Sequence, residues 1–164
     1  MYRHILIPTD GSKLAEKAVK HGLAMAQALN ARATVLTVSA PFNMLVFEPG
    51  MISDTQDEYE QYVAVCAAKY LDAAKQAAST AGVSCDTVHA QHAHPYKAII
   101  DMATQKGCDL IVMASHGRRG ISAVVLGSET VKVLTHSAIP VLVVRPASAD
   151  IALQGPNPAA RAAA

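Results

Sequence analysis

Two glycines with a pair of arginines between them are the residues of this sequence that best suit ligand chemistry. The segment Ser115–Gly120 reads SHGRRG. Gly117 and Gly120 allow the backbone to turn through positive φ and to approach a ligand closely, while Arg118 and Arg119 supply positive charge. We therefore predict that this segment is an anion-binding loop.

A strand and a helix must position this loop. Asp109–Met113 (DLIVM) is rich in β-branched residues and too short for a helix, which predicts a strand buried on both faces. Gly127-Ser128 begins a helical pattern with Val131 and Leu134 on one face. The free amides and the positive dipole end of this helix point back to the loop. Together the three pieces predict a phosphate-binding cradle.

The glycine spacing by itself leaves a second interpretation open, in which the glycines serve only tight turns and bind nothing. The sequence contains neither of the two commonest nucleotide fingerprints. There is no G-x-x-x-x-G-K-[ST] motif, and no G-x-G-x-x-G motif follows the first predicted strand.

The spacing resembles the nucleotide-binding signature of the universal stress proteins, G-x2-G-x9-G-[ST]. Here two residues separate Ala114 from Gly117, and nine more separate Gly117 from Gly127-Ser128. Alanine thus replaces the first signature glycine, and a positive φ there would cost about 1 kcal/mol. The segments Ile5–Ser12 and Ile139–Arg145 resemble the opening and closing strands of the family.

The resemblance implies a site for ATP with Mg²⁺. In the family, the aspartate that matches Asp10 and the two residues before it line the adenine and ribose pocket. The backbone at the position of Val38 contacts the adenine in family members. The glycine loop and the helix start hold the phosphates. The implied nucleotide-binding residues are Pro8, Thr9, Asp10, Val38, Met113, Ala114, His116, Gly117, Arg118, Arg119, Gly120, Gly127, Ser128, Glu129 and Thr130. From the sequence alone, Asp10 also suits an ordinary turn or N-cap residue.

Five strand patterns alternate with four helical patterns, which predicts an α/β fold with an open parallel sheet and helices on both faces. The predicted strands are His4–Thr9, Thr34–Ser39, Ser84–Gln91, Asp109–Met113 and Val141–Val144, and the helices are Lys13–Leu29, Thr55–Ala78, Pro95–Lys106 and one starting at Gly127-Ser128. The resemblance implies a Rossmann-like fold of the adenine nucleotide alpha hydrolase type with strand order 3-2-1-4-5. Asp10 and Gly117 would then face each other across one crevice.

Each predicted helix has an apolar face that we expect to be buried. The expected buried residues are Leu14, Ala18, Gly22, Met25 and Leu29 in the first helix, Tyr59, Val63, Cys66, Tyr70, Ala74 and Ala77 in the second, and Tyr96, Ile99, Ile100 and Ala103 in the third. Thr55-x-x-Glu58 predicts a capping box at the start of the second helix.

Length and composition favour one domain over residues 1–146, followed by an Ala/Pro-rich tail, 147–164, that we expect to be flexible. A net charge of +1 and 4% aromatic residues argue against nucleic-acid binding.

No apolar run approaches the roughly 20 residues that span a bilayer, and no signal peptide is recognisable, so we expect a cytoplasmic protein. Cys66, Cys85 and Cys108 suit reduced core thiols.

Two further segments keep alternatives open. His89, His92 and His94 suggest a metal site, but no carboxylate or cysteine lies at a spacing that would complete a tetrahedral set of ligands. We therefore favour the interpretation that these histidines are helix caps or surface residues. The loop 40–54 carries apolar residues that either cover the edge of the core or form a flap over the nucleotide, and we favour the former.

Three functions follow from these predictions. The first is a nucleotide-binding regulatory module in the stress response, and the second is a slow ATPase in which His116 or Glu129 activates water. The third is a nucleotide-free dimeric interaction module. The apolar edge strand Val141–Val144 must be covered, and in the family it pairs with its copy in a second subunit, so we expect a homodimer.

Overall fold

The computed structural model describes residues 1–42, 56–117 and 126–146. Strands and helices alternate along these residues. The strands are β1 (His4–Pro8), β2 (Arg32–Ser39), β3 (Cys85–Gln91), β4 (Leu110–Ala114) and β5 (Val141–Val144), and the helices are α1 (Lys13–Leu29), α2 (Gln56–Thr80), α3 (Pro95–Gln105) and α4 (Ser128–His136). The strands form one parallel sheet in the order β3-β2-β1-β4-β5, so the predicted fold class and strand order are confirmed.

Helices cover both faces of the sheet because successive strand residues point to opposite sides. Ile7 on β1 belongs to a core that includes Leu23 of α1 and Leu71 of α2. Its neighbour Leu6 belongs to a second core, on the side where Ile99 of α3 packs. Both strand residues are fully buried. A nearly continuous apolar strand is therefore required in β1, as it is in β4, for which the sequence predicts burial on both faces.

Gly22 allows α1 to lie close against the sheet. A Cβ atom at this position would stand 2.6 Å from Cδ1 and 2.9 Å from Cγ1 of Ile7. The predicted inward position of Gly22 is confirmed, since the residue is buried in α1. The missing side chain therefore sets the distance between the helix and β1.

A polar network joins β1 to the turn before β4 at the other edge of the sheet. The Asp109 carboxylate accepts the N–H groups of Arg3 (2.9 Å) and His4 (3.0 Å). Burial by itself raises the pKa of Asp109, but these backbone donors outweigh it and the pKa lies below its ordinary value. The His4 ring bonds to the Lys106 carbonyl and to Thr34 Oγ1. Because a carbonyl only accepts, Nδ1 carries the proton of the neutral ring.

The buried face of α2 differs from the prediction. Its buried residues are Ala67, Leu71, Ala74 and Ala78, whereas most of the predicted stripe is half-buried. The larger residues of that stripe reach the carboxyl edge of the sheet instead. Tyr59 donates its hydroxyl to the Ala40 carbonyl, and the ring of Tyr70 packs on Gly11. Small alanines thus form the contact with the sheet, which a pattern based on large apolar residues misses.

The apolar face of α4 that contains Val131 and Leu134 is not its buried face. Val131 and Leu134 share one face, but they are 45% and 41% exposed. Thr130 and Val133 are buried instead. The Thr130 hydroxyl donates to the Ala114 carbonyl at 3.0 Å, and this bond turns the helix so that a polar residue faces inward.

Most other boundaries agree with the predictions to within two residues. The α1 helix has the predicted bounds, with the Ser12 side chain accepting from Ala15 N–H as its N-cap. In α3, Ala98 joins Ile99 and Ala103 in the buried face, while Tyr96 and Ile100 are half-buried. Thr55 of the expected capping box, most of the loop 40–54 and the tail 147–164 lie outside the described residues.

None of the helices in the described ranges is long and apolar enough to cross a membrane. The three cysteines are free, with Cys108 buried and Cys66 and Cys85 half-buried. Burial raises the pKa of the Cys108 thiol to about 11. This thiol therefore stays protonated near neutral pH, as expected of a packing residue rather than a nucleophile.

Candidate functional site

A cavity of about 220 Å³ lies where the carboxyl ends of β1, β2 and β4 meet the starts of α1, α3 and α4. It is lined by Pro8, Thr9, Asp10, Ala15, Leu36, Val38, Pro95, Ile99, Met113, Ala114, His116, Gly117, Glu129 and Thr130. Ten of these residues belong to the site predicted from the sequence. The other lining residues are Ala15, Leu36, Pro95 and Ile99. Arg118, Arg119 and Gly120 lie outside the described residues.

The turn after β1 positions Asp10 at the edge of this cavity. Ser12 N–H donates to Asp10 Oδ1 at 3.0 Å, so the carboxylate closes the turn as its local sequence suggests. Gly11 adopts φ of +74° within this turn, and its N–H donates to Thr9 Oγ1. Asp10 also lines the cavity, so its turn role and its predicted position at the site occur together.

Gly117 faces Asp10 across the cavity. A Cβ atom on Gly117 would overlap Oδ2 of Asp10. The expected positive φ is wrong for this residue, because the described glycines with positive φ are Gly11, Gly82 and Gly107. Gly117 is therefore needed for the space it leaves beside a carboxylate and not for a left-handed backbone.

Ala114, at the first signature position, is compatible with this geometry. It is the last residue of β4, pairs with Val144 of β5 and is 8% exposed. Its backbone does not adopt positive φ, so the strain considered for alanine does not arise here. A strand position tolerates a Cβ atom that a left-handed turn would not.

The start of α4 is joined to the end of β4 by two hydrogen bonds. Gly127 N–H donates to the Ser115 carbonyl at 2.8 Å, and Thr130 Oγ1 donates to the carbonyl of Ala114. A Cβ atom on Gly127 would lie 3.2 Å from Cα of His116, so this glycine also permits a close approach. The first amides of α4, from Ser128 onward, lack intrahelical acceptors and can meet an anion.

Two site predictions change at this helix. Gly127 and Ser128 do not line the cavity but lie beside it, at the start of α4. The hydroxyl proton of Thr130 is donated to the Ala114 carbonyl, so in this structure Thr130 has no proton to offer a phosphate, whereas its oxygen keeps lone pairs that suit Mg²⁺. The exposed Ser128 retains both possibilities.

Glu129 holds two helices together. Its Oε2 accepts Tyr96 N–H, in the first turn of α3, at 2.8 Å, and its Oε1 accepts Lys132 Nζ at 2.8 Å. The hydrogen bond that Lys132 donates to Glu129, and the negative charge of that carboxylate, raise the pKa of Lys132. Both carboxylate oxygens therefore have donors. Each oxygen keeps a further lone pair, but the carboxylate is fixed between Tyr96 N–H and Lys132, which argues against the predicted role as a base.

The remaining polar groups of the cavity come from the loop after β4. His116 lines the cavity, and its Nδ1 lies 3.1 Å from Ser115 Oγ. The ring is half-buried, which leaves it able to contact a ligand. Ser115 is buried at 3% exposure and joins the loop to α4 through its carbonyl.

The lining residues that sequence reasoning missed come from neighbouring elements. Leu36 on β2 and Ile99 on α3 are core residues whose side chains also form the cavity wall. Pro95 is the first residue of α3. A helix that follows a strand of a parallel sheet begins at the carboxyl edge of the sheet, which is where the cavity lies. That topological rule is the signal that could have identified Pro95 and Ala15.

The three histidines near β3 make local contacts. His89 Nε2 bonds to Ser39 Oγ at 2.9 Å, and His92 Nδ1 accepts His94 N–H at 2.8 Å. His94 is the N-cap of α3 by backbone position, but its side chain does not cap the helix. Over residues 1–42, 56–117 and 126–146, no three metal-binding side chains come close enough to hold an ion.

Comparisons with known proteins agree with this architecture. The model of the "Universal stress protein family" matches residues 1–145. Universal stress protein YxiE of Bacillus subtilis is 31% identical over 153 residues, which cover 88% of this chain and 100% of YxiE.

Two solved structures extend the comparison. The structure of MJ0577 from Methanocaldococcus jannaschii superposes with a TM-score of 0.76 at 28% identity, covering 90% of this chain and 99% of that chain. A universal stress protein in complex with cAMP gives a TM-score of 0.65 at 25% identity, with 89% and 99% covered. The sequence match and the shared sheet topology lead to one conclusion: this chain belongs to the universal stress protein family.

Proposed function

We propose that this protein is a nucleotide-binding regulatory module of the stress response, with ATP and Mg²⁺ as its ligand. The observation that carries the proposal is the pairing of Asp10 with Gly117, because the missing side chain keeps a cavity open beside a carboxylate. The relative solved with cAMP supports an adenine nucleotide as the ligand class.

The adenine and ribose would occupy the cavity. Leu36, Val38, Ile99 and Met113 provide an apolar surface for the base, and the Asp10 carboxylate can accept a ribose hydroxyl. At about 220 Å³ the cavity is smaller than the roughly 300–1,000 Å³ of typical ligand pockets. A nucleotide would thus extend beyond it.

The phosphates would then lie outside the cavity, against the start of α4. Gly127 leaves room for them, and the first amides and the positive dipole end of the helix attract negative charge. His116 and the predicted arginines 118 and 119 complete the electrostatic match. Mg²⁺ would be held chiefly by the phosphates.

We infer that signalling depends on nucleotide occupancy rather than on rapid hydrolysis. Glu129 already binds Tyr96 N–H and Lys132, which leaves His116 as the water-activating candidate of the described site. Slow hydrolysis is the alternative, and a single-turnover assay with purified protein in excess over labelled ATP separates the two. Phosphate release on the minute timescale that is lost in His116→Ala would establish the ATPase.

The proposed homodimer uses the outer edge of β5. Ile111 N–H donates to the Pro140 carbonyl and Ser115 N–H donates to the Val144 carbonyl, so residues 140, 142 and 144 point toward β4. The polar groups of Val143 therefore point away from β4, at the edge of the sheet. Such an edge favours pairing with a second copy.

Two proline variants test this dimer by sedimentation. Val143→Pro removes an outward N–H and should give a folded monomer, whereas Val144→Pro removes a bond to β4 and should unfold the edge of the sheet. A dimeric Val143→Pro protein, or a monomeric wild type, would refute pairing through β5.

The three free cysteines suit the reducing cytoplasm in which we place the protein.

The decisive experiment on nucleotide binding has two steps. The fresh protein is denatured and any released nucleotide identified, and the emptied protein is then titrated with ATP and Mg²⁺ by calorimetry. The double variant Gly117→Val, Gly127→Val should bind no ATP because the new side chains fill the phosphate side of the site. Equal binding by the variant would make the site assignment wrong. No binding by the wild type at millimolar ATP would favour the nucleotide-free interaction module.

A further inference from the structure

A second cavity, of about 500 Å³, lies between α1 and α2. Its volume falls within the roughly 300–1,000 Å³ range of small-molecule pockets. The two helices cover one face of the sheet, whereas the apolar wall of the first cavity comes from the face covered by α3. We define this second cavity as the α1–α2 cleft.

The walls of the α1–α2 cleft are apolar and built from small side chains. Val19 comes from α1, and Ala73, Ala74 and Ala77 come from α2. Val19 and Ala74 are almost fully buried, at 6% and 4% exposure. Because three of the residues that α2 contributes to the lining are alanines, the side chains do not fill the space between the helices. An aliphatic chain could occupy it.

Two lysines give the rim of this cleft a positive charge. Lys20 projects from α1 and Lys69 from α2, and both are exposed. Neither forms an ion pair with another described residue. Glu16 is the one acidic residue in the lining, so the lining carries a net charge of +1. Unpaired cations beside an apolar wall match a ligand with an acidic head and an aliphatic tail.

We propose that the α1–α2 cleft binds an amphipathic carboxylate of medium chain length, with its tail along the alanine wall and its head held by Lys20 and Lys69. Tyr70 also lines the cleft, and its ring packs against Gly11. The cleft shares Thr9 with the nucleotide cavity, and all its other lining residues are different. The proposal does not depend on nucleotide binding.

The first test titrates the full chain with a dansyl-labelled undecanoic acid, followed by competition with decanoate and decanol. We expect saturable fluorescence at micromolar probe and displacement by decanoate at about tenfold lower concentration than by decanol, since only the acid can pair with the lysines. Absence of saturable binding up to millimolar probe would overturn the proposal.

Matched variants then locate the site. Ala77→Leu should fill the cleft and weaken probe binding about tenfold, whereas Ala68→Leu, on an exposed position of the same helix outside the lining, should bind like the wild type. The double variant Lys20→Gln, Lys69→Gln should lose the preference for decanoate over decanol. Equal binding by the two leucine variants would place the probe elsewhere. If Ala77→Leu does not fold, as judged by circular dichroism, Ala73→Leu replaces it.

Discussion

The carboxylate of Asp10 occupies the space that a side chain on Gly117 would require. The two residues come from opposite sides of the crevice at which the strand order reverses, one after β1 and one after β4. The pair lines a cavity whose other walls are mostly apolar. Gly117 is therefore required for the space it leaves beside Asp10 and not for its backbone conformation.

Gly117→Ala should therefore weaken ATP binding by about tenfold or more, because its Cβ atom must displace the Asp10 carboxylate. Calorimetric titration measures the change. Gly107→Ala is the control, since this glycine has φ of +64° and open space around its Cβ position. That variant should lose about 1 kcal/mol of stability and bind ATP normally. Normal affinity in Gly117→Ala would show that the nucleotide does not use this crevice.

Glu129→Gln should destabilise the protein by about 1 kcal/mol, because a charged acceptor is lost from the first turn of α3. Urea unfolding followed by circular dichroism gives the free energy of unfolding. Glu16→Gln is the matched control, since Glu16 lies in the first turn of α1, is exposed, and makes no hydrogen bond to another helix within the described part of the chain. Equal losses in the two variants would mean that the Tyr96 contact contributes little.

Gly22→Ala should destabilise the protein by about 1–3 kcal/mol, because the new methyl group would stand 2.6 Å from Ile7 Cδ1. Helix propensity alone predicts the opposite sign, a gain of about 1 kcal/mol. Thermal and urea unfolding decide between them. At the exposed Ala24 of the same helix, Ala24→Gly should follow propensity and destabilise. A stabilised Gly22→Ala protein would mean that α1 can move away from β1 without a loss of stability.

The stability of the fold should fall as the pH drops below about 6.5. Burial is the main cause that holds the pKa of His4 below 6.5 in the folded state, and the positive charge of Arg32 is the second cause. The unfolded chain then binds the proton first, so the free energy of unfolding decreases between pH 6.5 and the lower folded pKa. Above pH 6.5 this residue contributes no pH dependence.

The variant His4→Leu, Thr34→Val isolates this contribution, because replacing both partners avoids leaving the buried Thr34 hydroxyl unpaired. Its free energy of unfolding should change less than that of the wild type between about pH 7.5 and pH 5.5. The Asp109 contribution does not interfere, since the lowered pKa of this carboxyl confines its effect to pH values near and below 3.8. An unchanged pH slope would assign the dependence to other histidines.

Local sequence patterns determined the elements of this fold and their order along the chain. Strands buried on both faces require continuous apolar runs, and Ser12 followed by a periodic apolar stripe defines α1 from Lys13 to Leu29. The strand order came from family resemblance and is confirmed. The predicted lining residues of the cavity cluster after β1 and β4 because carboxyl ends of parallel strands meet at one edge.

Tertiary structure decided the details that depend on contacts between distant residues. Glu129 caps α3 although 33 residues separate it from Tyr96, and no local pattern in α4 signals that contact. Gly117 is required by a carboxylate after β1, and the buried face of α2 consists of Leu71 and three alanines that fit the sheet. Periodicity indicates which face of a helix is apolar, but the shape of the opposing surface determines which side chains are buried, because close packing depends on fit at each atom.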